Sequence, residues 1–146
     1  MAAITKPGVY TLPEPFDFDS IDIETAKNLG RKFFGDETIL LTCMKPVGKQ
    51  VVSITILEEI DTISLEKLDE TYMEKGLAPN PWHLIVFAKM QPDFDDARAI
   101  LTQWKAANGK FYYAYFRRQE NGDREFDVGQ PEYGYDGFFL LSGSVK

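Results

Sequence analysis

The side chains of this chain best suited to recognition chemistry fall in one stretch, Lys110–Phe139, which reads KFYYAYFRRQENGDREFDVGQPEYGYDGFF. It holds ten of the 20 aromatic residues, interleaved with Arg117, Arg118, Glu125 and Asp127. Asn121-Gly122 favours a two-residue type I′ turn, because both central positions need positive φ. That turn pairs Arg118 with Glu125, Phe116 with Asp127, Arg117 with Phe126 and Tyr115 with Val128. Strand alternation then puts Phe111, Tyr113, Tyr115, Phe126 and Val128 on a core face. Tyr112, Ala114, Phe116, Arg118, Glu125 and Asp127 share the other. Tyrosine and arginine are favoured where proteins grip their partners, so Tyr112, Phe116, Arg118 and Asp127 form a candidate binding face. Tyr133 and Tyr135, on a glycine-rich loop, extend it as adaptable contacts. On this reading, replacing Tyr112 and Phe116 by alanine removes binding and leaves the melting temperature unchanged. The purely structural alternative is cross-strand pairing, with Arg118–Glu125 a surface ion pair of about 0.2–1 kcal/mol.

Other chemistries find less support. His83 and Cys43 are each the sole residue of their type, so no zinc site of thiolates and imidazoles forms within one chain. The acidic groups Asp17/Asp19/Asp22 and Asp93/Asp95/Asp96 lack calcium-loop spacing and precede expected helices, where acids complement the dipole. There is no phosphate-cradling glycine motif and no Gly-x-Ser-x-Gly elbow. No metal and no cofactor is expected. An enzyme built from this chain would have to work with His83, Arg118, Asp127 and a tyrosine, gathered in a pocket between sheet and helices.

The 146 residues suit one domain with its own core. Apolar content is 44% and charged content 27%, which excludes a disordered chain. A single cysteine gives no intramolecular disulfide and suits a reducing compartment. The longest uninterrupted apolar run, Leu84–Ala88, is far too short to span a membrane. The opening MAAITKPG lacks a signal-peptide core, so a cytoplasmic location is the default expectation. Net charge is −7, carried almost wholly by residues 1–76. That balance opposes nucleic-acid binding, which starts from a basic surface. It suits a basic partner, a mimic of nucleic acid, or simply solubility.

These residues need elements to position them. Pro7, Pro13 and Pro15 make residues 1–19 an extended arm, with a short strand at Val9–Leu12. A helix is expected over Ile21–Phe34, capped by Ser20 or Asp22. Thr38–Met44 and Val51–Leu57 read as a hairpin through Pro46 and Gly48. A surface helix comes next over Leu65–Lys75, started by Ser64 and stopped by Gly76. Beyond the break at Ala78–Pro81 come a strand, His83–Met90, and an amphipathic helix, Phe94–Asn108, capped by Asp93. The aromatic hairpin (Lys110–Gln119, Arg124–Val128) and a last strand, Phe138–Val145, complete the chain.

This order predicts an α+β fold: a largely antiparallel sheet with helices on one side. The elements read as two βαββ units joined by a helix. In topology alone that is similar to the effector-binding domains of multidrug regulators. The function expected is a non-catalytic binding protein whose partner is another protein, a copy of itself, or a small molecule. Neither nucleic acid nor membrane is expected as a partner. The alternatives are a small enzyme with a pocket between sheet and helices, and a structural subunit of a virion-type assembly.

Overall fold

A computed structural model describes residues 8–28, 32–57, 62–91, 99–118, 121–131, 134–136 and 139–145. The strands run β1 Gly8–Thr11, β2 Phe16–Asp17, β3 Lys32–Phe34, β4 Lys49–Gln50, β5 Ser53–Ile56, β6 Thr62–Ser64 and β7 Leu77–Ala78. They continue as β8 Ala99–Lys105, β9 Phe111–Arg118, β10 Arg124–Gly129, β11 Gly134–Asp136 and β12 Phe139–Val145. The helices are α1 Ile23–Lys27, α2 Leu65–Glu74 and α3 Pro81–Met90. One sheet has the order β1-β5-β12-β8-β9-β10-β3, with β7 paired to β12, and two small ribbons join β11 to β6 and β2 to β4. Pairing is antiparallel except at β12–β8 and β10–β3. The expected α+β class, with a mostly antiparallel sheet, is what forms.

Helices lie on both faces of this sheet. On one face Ile100, Trp104, Ala114, Phe116, Phe126 and Val128 join a core with α3, Val52, Ile54, Ile56 and Phe18. On the other, Leu101, Tyr113 and Tyr115 meet Leu68 and Tyr72 of α2. The N-terminal segment belongs to the first core: β1 pairs with β5, and Leu12 and Phe18 are buried. β12 holds the centre, bonded to β5 on one side and to β8 on the other.

Local chemistry explains the elements. In α2 the Ser64 hydroxyl accepts from the Lys67 N–H at 3.2 Å, and Gly76 leaves at φ +66°. Along β5 and the preceding Val52, the buried Val52, Ile54 and Ile56 alternate with the half-buried Ser53 and Thr55, as a strand requires. α1 is capped by Asp22, whose Oδ1 accepts from the Thr25 N–H at 2.8 Å. It ends at Lys27 rather than Phe34, and Phe33 instead enters β3 and stacks on Phe126, ring centroids 5.9 Å apart.

Four expectations give way. The segment 83–90 is helix, not strand. Asn80 Oδ1 accepts from the N–H groups of Trp82 (2.9 Å) and His83 (3.4 Å), and Pro81 stands at the first helical position. An asparagine cap before such a proline is a helix start. Within 94–108 the described residues form β8, a strand buried on both faces from Ala99 to Trp104. Its apolar run therefore has no period of two, and the helical stripe was fortuitous. Asp93 and Phe94 lie outside the described residues. Residues 37–42 form a 3₁₀ turn capped by Asp36 rather than a strand. It is pinned by two indoles: Trp104 Nε1 donates to Thr42 Oγ1 at 2.7 Å and Trp82 Nε1 to the Cys43 carbonyl at 3.1 Å. With 83–90 helical and 99–105 extended, the elements after α2 run β7–α3–β8–β9–β10–β11–β12, not in the segments expected for the second βαββ unit.

Candidate functional site

The aromatic hairpin forms where expected, but in another register. Arg118 faces Arg124, Arg117 faces Glu125, Phe116 faces Phe126 and Tyr115 faces Asp127. Ahead of β10, Asp123 N–H donates to Asn121 Oδ1 at 2.9 Å and Gly122 has φ +89°. A shift of one residue in a pattern of period two exchanges the faces. Burial is the physical reason. Phe116 and Phe126 are both fully buried under α3. The two-residue turn would have put Glu125 and Asp127 on that same covered face, where unpaired carboxylates are costly. The apolar pattern outweighs the turn.

The expected site residues are thus divided. Phe116 is core. Tyr112 is half-buried beside it, stacked on Trp104 at 6.2 Å, and its hydroxyl accepts from Asn108 Nδ2 at 3.1 Å. Arg118 is half-buried on Phe116's side of the strand. Asp127 points to the opposite face. Tyr135 lies in β11, opposite Ile63 of β6, and Tyr133 lies outside the described residues. The polar set of an enzyme is likewise not gathered: His83 stacks on Phe18 (5.0 Å) on the α3 side of the sheet. Burial lowers its basicity, and burial pushes the Cys43 thiol up to about 11. A pocket of about 210 Å³ lies elsewhere, lined by Leu12, Pro13, Glu14, Pro15, Phe16, Met90 and Gln91, with none of these groups.

What the register does gather is a cluster on the α2 side. Tyr113 and Tyr115 are parallel to within 13°, centroids 5.9 Å apart. Both reach from β9 across β10. The Tyr115 hydroxyl donates to Asp127 Oδ2 at 3.1 Å. The Tyr113 hydroxyl lies over its cross-strand neighbour Gly129, where a Cβ would sit 2.5 Å from it. Arg117 Nε donates to Glu125 Oε1. Glu125 is 5% exposed, and its buried charge is matched by the half-exposed Arg117. In the parallel β10–β3 register Phe34 stands beside Asp127, and Phe33 is taken by the other face. Phe34 is 43% exposed. One row across the sheet therefore reads Phe34, Asp127, Tyr115, Leu101. At the rim, Lys32 Nζ pairs with Asp123 at 2.8 Å.

The electrostatics centre on Asp127. Burial raises its carboxyl above the usual range and Glu125 repels it, while the Tyr115 hydroxyl and Arg117 partly offset this. Burial and the Asp127 charge also raise the phenols of Tyr113 and Tyr115. The tyrosines are therefore neutral donors at physiological pH. A carboxyl whose folded pKa is raised favours folding at low pH, and that contribution is lost as pH rises through the raised value. Asp127→Asn should accordingly raise Tm at pH 7 by about 2–4 °C. The gain should close as pH falls into the ordinary carboxylate range. A lower Tm at pH 7 would mean that the Tyr115–Asp127 bond outweighs desolvation.

The feature that signals this cluster in the sequence is Ala114. A small residue alternating with Phe116 suits a face closed by a helix, and phenols suit a face with a wet edge. The acidic group at 17–22 has local duties: Asp17 and Asp22 cap turns, and Asp19 Oδ1 accepts from the Gly48 N–H at 3.0 Å. Among the described residues no group of three or more His, Cys, Asp or Glu could hold a metal ion. Nor is any helix among them long and apolar enough to cross a membrane. Compared with protein-family models, curated proteins and solved structures, the chain matches none.

Proposed function

We propose that this is a non-catalytic binding protein whose contact surface is the Tyr113–Tyr115–Asp127 face of β9 and β10, with Phe34 at its edge. The observation carrying this reading is a half-buried carboxylate held by the Tyr115 hydroxyl and flanked in the sheet by the exposed Phe34. Such an arrangement joins apolar area to one oriented polar group, the combination that recognition sites use. Catalysis has less support, because His83 and Asp127 belong to opposite faces and the pocket near Phe16 holds no titratable pair suited to proton transfer.

Chemical-shift mapping of a small-fragment library on ¹⁵N-labelled protein tests this. Perturbations should concentrate on the amides of 113, 115, 117, 125, 127 and 34. If they concentrate instead around Pro13–Phe16 and Met90, the contact surface is the other pocket and this assignment fails.

A further inference from the structure

The charges of this face point to a class of ligand, given the binding role proposed for it. Two carboxylates face the same side of β10, at 125 and 127. Glu125 is bonded to Arg117. The nearby Lys32 is engaged by Asp123. Asp127 takes its hydrogen bond from Tyr115 and no ion pair reaches it among the described residues; the nearby Arg117, bonded to Glu125, acts on it only through its charge. A half-buried carboxylate is normally matched by a charge partner, because desolvation penalises it otherwise. Here its neighbours across the sheet are aromatic residues. Tyr113 and Tyr115 present near-parallel rings on one side of Asp127, and Phe34 stands on the other.

We propose that this face receives the guanidinium of an arginine side chain on a partner polypeptide. The group's plane lies against the Tyr113/Tyr115 platform and its N–H groups donate to Asp127. An aromatic ring attracts a cation through its negative face, most strongly when water is excluded. Guanidinium fits better than ammonium because it is planar, stacks on rings and is less strongly hydrated. The net charge of −7 favours approach of a basic partner from solution. No covalent step is involved.

The experiment is a titration of ¹⁵N-labelled full-length chain with acetyl-Gly-Arg-Gly-amide and with its citrulline counterpart, an uncharged near-isostere. The arginine peptide should shift the amides of 113, 115 and 127. The citrulline peptide, and the arginine peptide on Asp127→Asn protein, should each bind at least about tenfold more weakly. Tyr115→Phe keeps the ring and frees Asp127 Oδ2, so it should retain arginine binding. That variant guards against mistaking loss of fold for loss of charge. Equal binding of both peptides at this face would overturn the guanidinium assignment while leaving the binding surface intact. So would neutral fragments binding there with no response to arginine. Shifts scattered over residues 8–28, or unaffected by Asp127→Asn, would mean diffuse attraction to an acidic surface and would also overturn it.

Discussion

Phe116→Ala should destabilise the protein by about 3–5 kcal/mol, the cost of emptying a fully buried aromatic site that cannot collapse. For a chain of this size that lowers Tm by roughly 10–15 °C, read by thermal circular dichroism and by urea unfolding. The site is closed on all sides: Phe116 faces Ile100 on one neighbour and Phe126 on the other, with α3 above. The register set by a two-residue turn makes Phe116 an exposed contact, for which the same change leaves Tm where it was. One melt therefore decides between the two registers. An unchanged Tm would restore the two-residue Asn121-Gly122 turn and return Tyr112 and Phe116 to the surface.

Gly35→Ala should have an effect of similar size by another route. Gly35 comes directly after β3 at φ +93°, and a Cβ there would stand 2.0 Å from the Val128 carbonyl oxygen. The obstacle is backbone, so no rotamer change relieves it. Left-handed strain and the displaced strand together should cost about 3 kcal/mol or more. The first loss should be the short parallel pairing of β3 with β10, which places Phe34 beside Asp127. Hydrogen exchange should show deprotection of 32–34 before any other part of the sheet. Protection retained there, with normal stability, would mean that β3 can move off Val128 without penalty.

How far the fold is legible in the sequence depends on where each segment lies. The helix at 65–74 is readable because it sits at the surface: Ser64, Gly76 and a narrow stripe at Leu68 and Tyr72 mark its start, end and inner side. β5 is readable because buried residues alternate along it with half-buried polar ones. The segments 81–90 and 99–105 are not, because each is buried almost all round and shows a long apolar run. Periodicity cannot separate a buried strand from a buried helix. What separates them is local detail. Asn80-Pro81 starts a helix, while Thr102 and Gln103 in the middle of 99–105 need partners outside their own segment. Gln103 finds one in the Leu65 carbonyl, to which its Nε2 donates at 2.9 Å. The hairpin is located to within a residue, yet that residue decides which tyrosines are exposed. Asp127 stands out by its charge and does lie in the cluster. Its companions Tyr113, Tyr115 and Phe34 depend on the register and on a parallel partner strand from the other half of the chain. No local pattern contains that pairing.

The position of β12 has a kinetic meaning. Among the described residues it follows every other strand, yet it is the strand in this sheet order that touches both β5 and β8. The β9–β10 hairpin closes a short loop and can form within microseconds. The pairing of Ile56 with Ser142 closes most of the chain, and that ordering entropy is lost before any contact offsets it. Until β12 arrives, the molecule consists of two half-sheets, each with a raw inner edge on β5 or β8. Unpaired edges of this kind recruit strands from other molecules. The hazard for this chain is therefore greatest in the interval between closing its hairpin and inserting its last strand, and any factor that shortens that interval protects it from aggregation.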